Sequence, residues 1–266
     1  MAKYYFVGTL LPSLSFDSPP EMSFAKLEVL LHDNLTPRDY EKTLVIRRYY
    51  DILNLRSLWL GEELDPKGEL TPGALEEALI SRVGLPDYVY DFVDRHPKIE
   101  DRIRHFPFLL ANFFQSAENL KDPFLRFYLN FERELRLVMT GFRAKKLGRD
   151  LSVELQYENP EEDLIAQLLA QQDAKSYEPP EKYKDLKVLF EKYGDDPLAL
   201  QKALDEYRFA IIENVVGLED VFSIDRLLAY LAQFVVIEKW FELDKAKGIQ
   251  IVDTLVKENH HHGTNG

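Results

Sequence analysis

The sequence contains no cysteine among its 266 residues. Thiolate catalysis, disulfide bonds and cysteine-ligated zinc are therefore excluded, and the composition agrees with a reducing compartment such as the cytoplasm. Glycine is also scarce, with 12 residues, and neither phosphate-binding pattern GxxxxGK[ST] nor GxGxxG occurs. We therefore expect no direct nucleotide binding and no cofactor. A chain of this length buries about three quarters of its unfolded surface, so stability requires no disulfide or metal.

Side chains suited to catalysis or metal binding are few. No GxSxG nucleophile elbow is present, and outside the C-terminal tail the only histidines are His32, His96 and His105. His96 precedes a proline at a predicted helix end, where a cation would complement the helix dipole, the alternative being a catalytic base. Glu28 and His32 stand four residues apart, a spacing typical of a surface contact and compatible with a metal pair. We predict that the chain is not an enzyme.

No apolar run is long enough to cross a membrane. The longest are interrupted by Pro12, by Arg47 and Arg48, or by Glu238 and Lys239, before the roughly 18 residues that a spanning helix needs. Pro12 also breaks the apolar N-terminus, which lacks a small-residue cleavage site and is not predicted to be a signal peptide. Any membrane contact is therefore expected to be peripheral.

The negative charge lies mostly in the second half of the chain. Residues 1–150 carry 21 Lys and Arg against 23 Asp and Glu, whereas residues 151–266 carry 12 against 23. Such an acidic surface repels phosphate backbones, so nucleic-acid binding is disfavoured and a basic partner protein fits better. Solubility alone is the alternative explanation.

Helix-start signals predict an all-α fold. Thr36, Thr71, Asp122 and Asn159 each precede a proline, which places a capping side chain before the first helical residue. Alternating apolar and polar residues are almost absent, and residues 151–157 form the one credible extended segment, with a linker as the alternative.

Three long helices are predicted at residues 37–60, 123–146 and 224–243. Apolar residues recur in each at spacings of three and four, and the first helix has two apolar faces, so it should be central. Each helix is expected to end near a glycine, and this recurrence favours a helical unit that is used three times, with short or incomplete repeats. The three glycines are Gly61, Gly148 and Gly248.

The composition predicts four parts of the chain. A larger N-terminal bundle covers residues 1–174, a linker rich in Pro, Lys and Glu covers 175–187, and a smaller bundle covers 188–258. Residues 259–266 form a predicted disordered tail, in which His260, His261 and His262 are alternatively transition-metal ligands.

Two features are candidate functional positions. Glu238 falls on an apolar stripe, where a carboxylate has a raised pKa or a paired cation, unless helical drift carries it to the edge of the seam. Cations crowd the end of the second long helix, where they complement the helix dipole or contact acidic protein or anionic headgroups. These cations are Arg133, Arg136, Arg143, Lys145, Lys146 and Arg149.

Three segments carry a family resemblance. They are residues 4–24 (YYFVGTLLPSLSFDSPPEMSF), 47–59 (RRYYDILNLRSLW) and 124–150 (FLRFYLNFERELRLVMTGFRAKKLGRD). They resemble an uncharacterised bacterial family whose genes lie among those of V/A-type ATPases, and the likeness spans nearly the whole chain. That family is similar in turn to the C subunit of V/A-type ATPases, which is called the d subunit in eukaryotic V-ATPases. This second likeness rests mainly on the helical layout and the 124–150 pattern.

The resemblance implies a non-catalytic rotor part. The C subunit of these ATPases is a funnel of helical bundles in three similar units, which sits on the proteolipid ring and receives the foot of the central axle. The implied partners are these axle and ring subunits of a proton or sodium pump, at the cytoplasmic face of the membrane. A helical scaffold or assembly factor for the ATPase is the first alternative, and an enzyme with a carboxylate site near Glu238 is the second. The opening segment, marked by Pro12, Phe16, Asp17, Pro19 and Pro20, has no counterpart in that ATPase component.

Overall fold

The fold is all-α, as predicted. A computed structural model describes residues 3–174, 176–216 and 221–262, with side chains up to residue 243, and no strand occurs in these ranges. The helices are α1 Tyr5–Leu10, α2 Phe24–Asn34, α3 Pro37–Leu60, α4 Pro72–Ser81, α5 Asp87–Arg95, α6 Ile99–Arg104, α7 Phe106–Ala117, α8 Pro123–Leu147, α9 Leu151–Glu154, α10 Asp163–Leu169, α11 Lys184–Tyr193, α12 Pro197–Val216 and α13 Ile224–His262, with a 3-10 turn at Glu181–Tyr183.

The backbone contacts divide the chain into two compact units. The first unit combines residues 1–35 with residues 201–266, and the second unit is residues 36–200. These boundaries differ from the predicted ones, because the N-terminal segment packs with the C-terminal helices rather than with the bundle that follows it in sequence. The contacts also delineate two units rather than the three repeats that the glycine spacing favoured.

Three of the four predicted helix starts are confirmed. The side chains of Thr36, Thr71 and Asp122 each accept a hydrogen bond from the backbone N–H three residues further on. Asn159 instead accepts from the N–H of Glu161 and closes a turn, and α10 begins two residues after Glu161. The expected extended segment at 151–157 is also wrong, because Asp150 caps the short helix α9 there.

Two of the three predicted glycine stops are confirmed. Helices α3 and α8 end at Gly61 and Gly148, whose φ angles of 69° and 63° are left-handed, as a helix C-terminus favours in glycine. Gly248 is different, because α13 continues through it to His262. A single glycine inside a helix costs only about 1 kcal/mol, so it does not stop a helix by itself.

The opening segment forms α1 and an extended strap, within the first unit. Val7 of α1 is buried, and the Tyr230 hydroxyl of α13 donates to the Pro12 carbonyl at 2.9 Å. Phe16 lies edge-on against Phe209 of α12, with ring centroids 5.8 Å apart. The segment thus begins with a short helix and continues as a strap that packs on α12 and α13.

In the second unit, the predicted linker at 175–187 packs against α8. The Tyr177 ring contacts Phe142 edge-on at 4.6 Å, and Tyr177 fits where Gly141 has no side chain, since a Cβ there would lie 2.4 Å from the ring. The Tyr183 hydroxyl, fully buried, donates to Glu134 at 2.6 Å. Apart from Lys175, which is not among the described residues, this stretch is part of the bundle.

None of the helices in the described ranges combines the length and the apolar character that crossing a membrane requires.

Candidate functional site

Buried polar residues form a stripe along α3. Thr43, Arg47, Asp51 and Asn54 follow one another at spacings of four, four and three, and none of them is more than 6% exposed. Such spacing places them on one side of the helix. Arg47, Asp51 and Asn54 hold the loop between α3 and α4, whereas the Thr43 hydroxyl donates to the Tyr40 carbonyl within α3.

Asp51 is the centre of this stripe. Its Oδ1 atom accepts hydrogen bonds from the backbone N–H groups of Glu69 at 2.8 Å and Leu70 at 3.0 Å. Its Oδ2 atom faces Arg48 Nε at 3.6 Å. Burial raises the pKa of the Asp51 carboxyl, and the hydrogen bonds and the charge of Arg48 oppose that rise.

The neighbouring stripe residues hold the same loop. Arg47 donates from Nε to the Lys67 carbonyl at 3.2 Å and from Nη2 to the Gly68 carbonyl at 2.5 Å. Asn54 and Asp65 exchange two hydrogen bonds, at 2.9 and 2.8 Å, between the amide side chain and the backbone. The backbone polar groups of the loop are thereby satisfied from α3.

Lys67 and Gly68 complete the cluster. The Lys67 side chain is fully buried, with Nζ 3.5 Å from Asp65 Oδ1. A Cβ at Gly68 would lie 2.7 Å from both Asn54 Nδ2 and Asp51 Oδ1, so only glycine lets the loop approach α3 this closely. We call Arg47, Asp51, Asn54, Asp65 and Lys67 the α3 loop clamp.

The α3 loop clamp has groups suited to proton transfer but no access for a substrate. Asp51 and Lys67 are both 0% exposed, and their neighbours occupy the space around them. Its chemistry is therefore the internal pairing of charges, which fixes the loop. Sequence reasoning missed the clamp because it followed only the apolar faces of α3, although the spacing of the polar residues was visible.

The first two residues of the predicted basic cluster are paired inside the second unit. Arg133 bonds the carboxylates of Glu158 and Glu162, and Arg136 bonds Glu158 and lies 5.5 Å over the Phe114 ring. Burial lowers the pKa of Arg133, but its hydrogen bonds to Glu162 and Glu158 outweigh that effect and raise the pKa overall. We call Arg133, Arg136, Glu158 and Glu162 the α8 clamp.

The lysines of the basic cluster also bond to the chain itself. Lys145 donates to the carbonyls of Gln172 and Ala174, and Lys146 donates to the Gly194 carbonyl and the Asp195 carboxylate.

The two remaining arginines of the cluster differ from each other. Arg149 lies 3.4 Å from Glu154, whereas Arg143 is exposed and, among the described residues, has no ion pair or hydrogen bond from its side chain. Five of the six predicted contact residues are thus engaged internally, and Arg143 remains available for a partner.

Glu238 lies half-buried on α13, within the first unit. Its Oε1 atom accepts from the backbone N–H of Phe24 at 3.2 Å, at the N-terminus of α2. A carboxylate there complements the helix dipole. The position agrees with the edge of the apolar seam, and the contact explains the residue without a catalytic role.

His96 and His105 stack on each other in the second unit. Their ring centroids are 4.6 Å apart, and His105 Nδ1 lies 2.5 Å from the Tyr157 hydroxyl. Burial lowers the pKa of His96, with further lowering by His105 and Arg95 and opposition from Asp101. His96 ends α5, but this lowered pKa disfavours the predicted capping cation.

From the lowered pKa of His96 we predict that the stability of the fold depends on pH. Because the folded pKa of His96 lies below its ordinary value near 6.5, the unfolded chain binds more protons, and stability falls as the pH drops below about 6.5. We expect His96→Phe, which keeps an aromatic ring, to flatten the dependence between about pH 5 and 7. Urea unfolding at several pH values measures how the free energy of unfolding depends on pH. His32→Phe, on the exposed side of α2, is the control. An unchanged slope in His96→Phe would contradict this assignment.

No group of three or more His, Asp or Glu suited to a metal ion occurs among the residues whose side chains are described. The exposed His32 lies 3.1 Å from Asp33. The side chains of His260, His261 and His262, and all of residues 263–266, lie outside the described residues, although α13 includes residues 259–262.

Comparison with known protein families identifies the family to which the chain belongs. A family described as "Protein of unknown function (DUF2764)" matches residues 1–259. The chain belongs to this family. The match covers the strap as well as both clamps, so these features lie in the region that defines membership.

Chlamydial relatives share the full length of the chain. An uncharacterised protein of Chlamydia pneumoniae is 30% identical over 263 residues, covering 97% of this chain and 98% of the relative. An uncharacterised protein of Chlamydia trachomatis serovar D is 27% identical, covering 93% of this chain and 96% of the relative. No solved structure matches the chain.

Proposed function

We propose that this DUF2764 member is a non-catalytic subunit of a bacterial V/A-type ATPase that couples the central rotor axle to the proteolipid ring. One observation carries the proposal. The segments 47–59 and 124–150, which resemble the family encoded with V/A-type ATPases, lie in or extend just past the two long helices of the second unit. Hydrogen bonds from Asp51 tie α3 to the loop that follows it, and ion pairs to Glu158 tie α8 to the segment after α9. Packed and paired helices supply the stiffness that a torque-carrying part needs.

The charge distribution supports two different contacts. The acidic second half of the chain suits a basic axle foot, which it would attract and orient. Arg143, an exposed cation of the basic cluster whose side chain has no internal partner among the described residues, suits the ring or the anionic headgroups around it. The protein would then act at the cytoplasmic face of the membrane as a peripheral subunit of a proton or sodium pump.

A pull-down from native membranes tests the proposal. We expect a tagged copy of the chain to retain axle and ring subunits of the rotary ATPase, identified by mass spectrometry. Recovery without any rotary ATPase subunit would contradict the proposed function and leave only the fold.

Charge reversal tests the ring contact separately. Arg143→Glu removes one favourable charge and adds a repulsive one, each worth about 1 kcal/mol near an anionic surface, so recovery of the ring should fall roughly 30-fold. Arg126→Glu, exposed on the first half of α8, is the matched control and should recover the ring normally. Equal recovery by both variants would contradict the assignment of Arg143.

An assembly factor or scaffold for the ATPase is the second candidate. The division into two units rather than three repeats favours it, because a complete threefold funnel is the form that implies a permanent rotor part. Retention in the purified, active ATPase separates the two, since an assembly factor leaves the finished complex. An enzyme near Glu238 is the least favoured interpretation, because its carboxylate bonds the start of α2.

A further inference from the structure

A cavity of about 330 Å³ opens in the second unit, apart from both clamps. Helices α3, α5, α7 and α8 and the residues just before α5 and α8 form its walls. Binding sites for small molecules are concave, largely apolar and of at least about 300 Å³, so the volume is that of a small ligand site. Its apolar lining includes Leu44, Val45, Phe113, Ala117, Leu120 and Leu129.

The two charged residues at the cavity do not favour an anion. Arg48 donates from Nη1 to the Gly84 carbonyl at 2.7 Å, from Nη2 to Glu69 at 3.4 Å, and faces Asp51 from Nε at 3.6 Å. Its guanidinium is thus directed to internal partners. Glu41, which is exposed, adds a negative charge at the rim. A charged ligand would lose hydration at the apolar wall without gaining a partner.

One hydrogen-bonding position remains in the wall. The Ser116 hydroxyl donates to the Phe113 carbonyl at 2.6 Å, and Tyr88 lines the same wall. Because the single hydroxyl proton of Ser116 is engaged, its Oγ atom can only accept, and the Tyr88 oxygen also has lone pairs that can accept. Burial raises the pKa of Tyr88 to about 12, so this hydroxyl stays protonated at neutral pH.

We propose that this cavity binds a small, uncharged and largely apolar molecule that carries one hydrogen-bond donor, a phenol or an alcohol. The apolar residues bury its body, and the Tyr88 oxygen accepts its donor. This binding does not depend on the ATPase proposal, since the cavity lies entirely within the second unit.

Three naphthalene probes of similar size test the class of ligand on the full chain at pH 7. We expect 2-naphthol to bind with one saturable site, followed by intrinsic fluorescence and calorimetry. 2-Methoxynaphthalene lacks the donor and should bind more weakly by about 2- to 12-fold, the value of one neutral hydrogen bond. The anionic 2-naphthoate should show no saturable binding. The absence of saturable 2-naphthol binding, or equal binding of 2-naphthoate, would overturn the proposal.

Variants locate the binding in this cavity. Leu44→Trp and Leu120→Trp fill it from two different walls, and each should weaken 2-naphthol binding at least tenfold. Tyr88→Phe should make 2-naphthol and 2-methoxynaphthalene bind equally. Ile80→Trp, at a side chain that is 85% exposed, is the matched control and should bind like the wild type. Circular dichroism shows which variants fold, and unchanged binding by a folded filling variant would overturn the assignment of the site.

Discussion

Asp51→Ala should lower the free energy of unfolding by about 3–5 kcal/mol, because each of two buried N–H donors left without an acceptor costs about 1–3 kcal/mol. The substitution removes the acceptor of two loop N–H groups, from Glu69 and Leu70, and the anion that Arg48 faces. The two N–H groups would then be left in the interior without an acceptor, whereas Arg48 keeps the Gly84 carbonyl and Glu69. The loop after α3 should lose its fixed position as a result.

Urea unfolding followed by circular dichroism measures the loss. Asp91→Ala is the control, because Asp91 is exposed on α5, and it should stay within about 0.5 kcal/mol of the wild type. Asp51→Asn keeps a side-chain oxygen that can accept from the loop, so its loss should be smaller than that of Asp51→Ala. A loss below about 1 kcal/mol in Asp51→Ala would show that the α3 loop clamp does not support the fold.

Glu158→Ala should have the second largest effect and lower the free energy of unfolding by about 2–4 kcal/mol. This is slightly less than the cost of fully breaking a buried ion pair. Glu158 is 6% exposed and bonds both Arg133 and Arg136 at 2.7 Å. Arg133 should lose only part of its ion pairing, because Glu162 also binds it at 2.7 Å. Arg136 would keep only its contact with an aromatic ring.

A double-mutant cycle with Arg133→Ala separates this pairing from general packing. The two substitutions remove the same contact, so their effects should be less than additive by about 1–3 kcal/mol. Glu161→Ala, at an exposed neighbour that lies in a turn, should change stability little and serves as the matched control. Additive losses in the cycle would mean that the α8 clamp contributes no pairing energy.

The helices could be predicted because their signals are local. Thr36, Thr71 and Asp122 bond backbone groups three residues away, and Gly61 and Gly148 adopt the left-handed conformation that ends a helix. Such interactions need no information about distant parts of the chain.

The division into units could not be predicted, because it depends on contacts across the length of the chain. Tyr230 bonds Pro12, and Glu238 bonds Phe24, each across more than 200 residues. The local sequence of the opening segment does not indicate which helices it packs against.

The candidate site was predicted in part. The cations of α8 were found in the sequence, but their partners Glu158 and Glu162 follow 22 to 29 residues later, beyond α9, and helical spacing does not connect them. Among the described residues, Arg143 stands apart because the structure gives internal partners to the other five cations. The α3 residues of the loop clamp had a sequence signal in the polar stripe that they share with Thr43, at spacings of four, four and three. That polar pattern stood between two apolar faces that dominate the sequence of α3.

The composition of the intact rotary ATPase tests the central proposal most directly. The complex is purified from native membranes through a tag on a catalytic-head subunit, and each component is quantified by mass spectrometry. The proposal predicts that this chain is present in the active complex in the same amount as the central axle. Its absence from an active complex that retains both the axle and the proteolipid ring would contradict a rotor role.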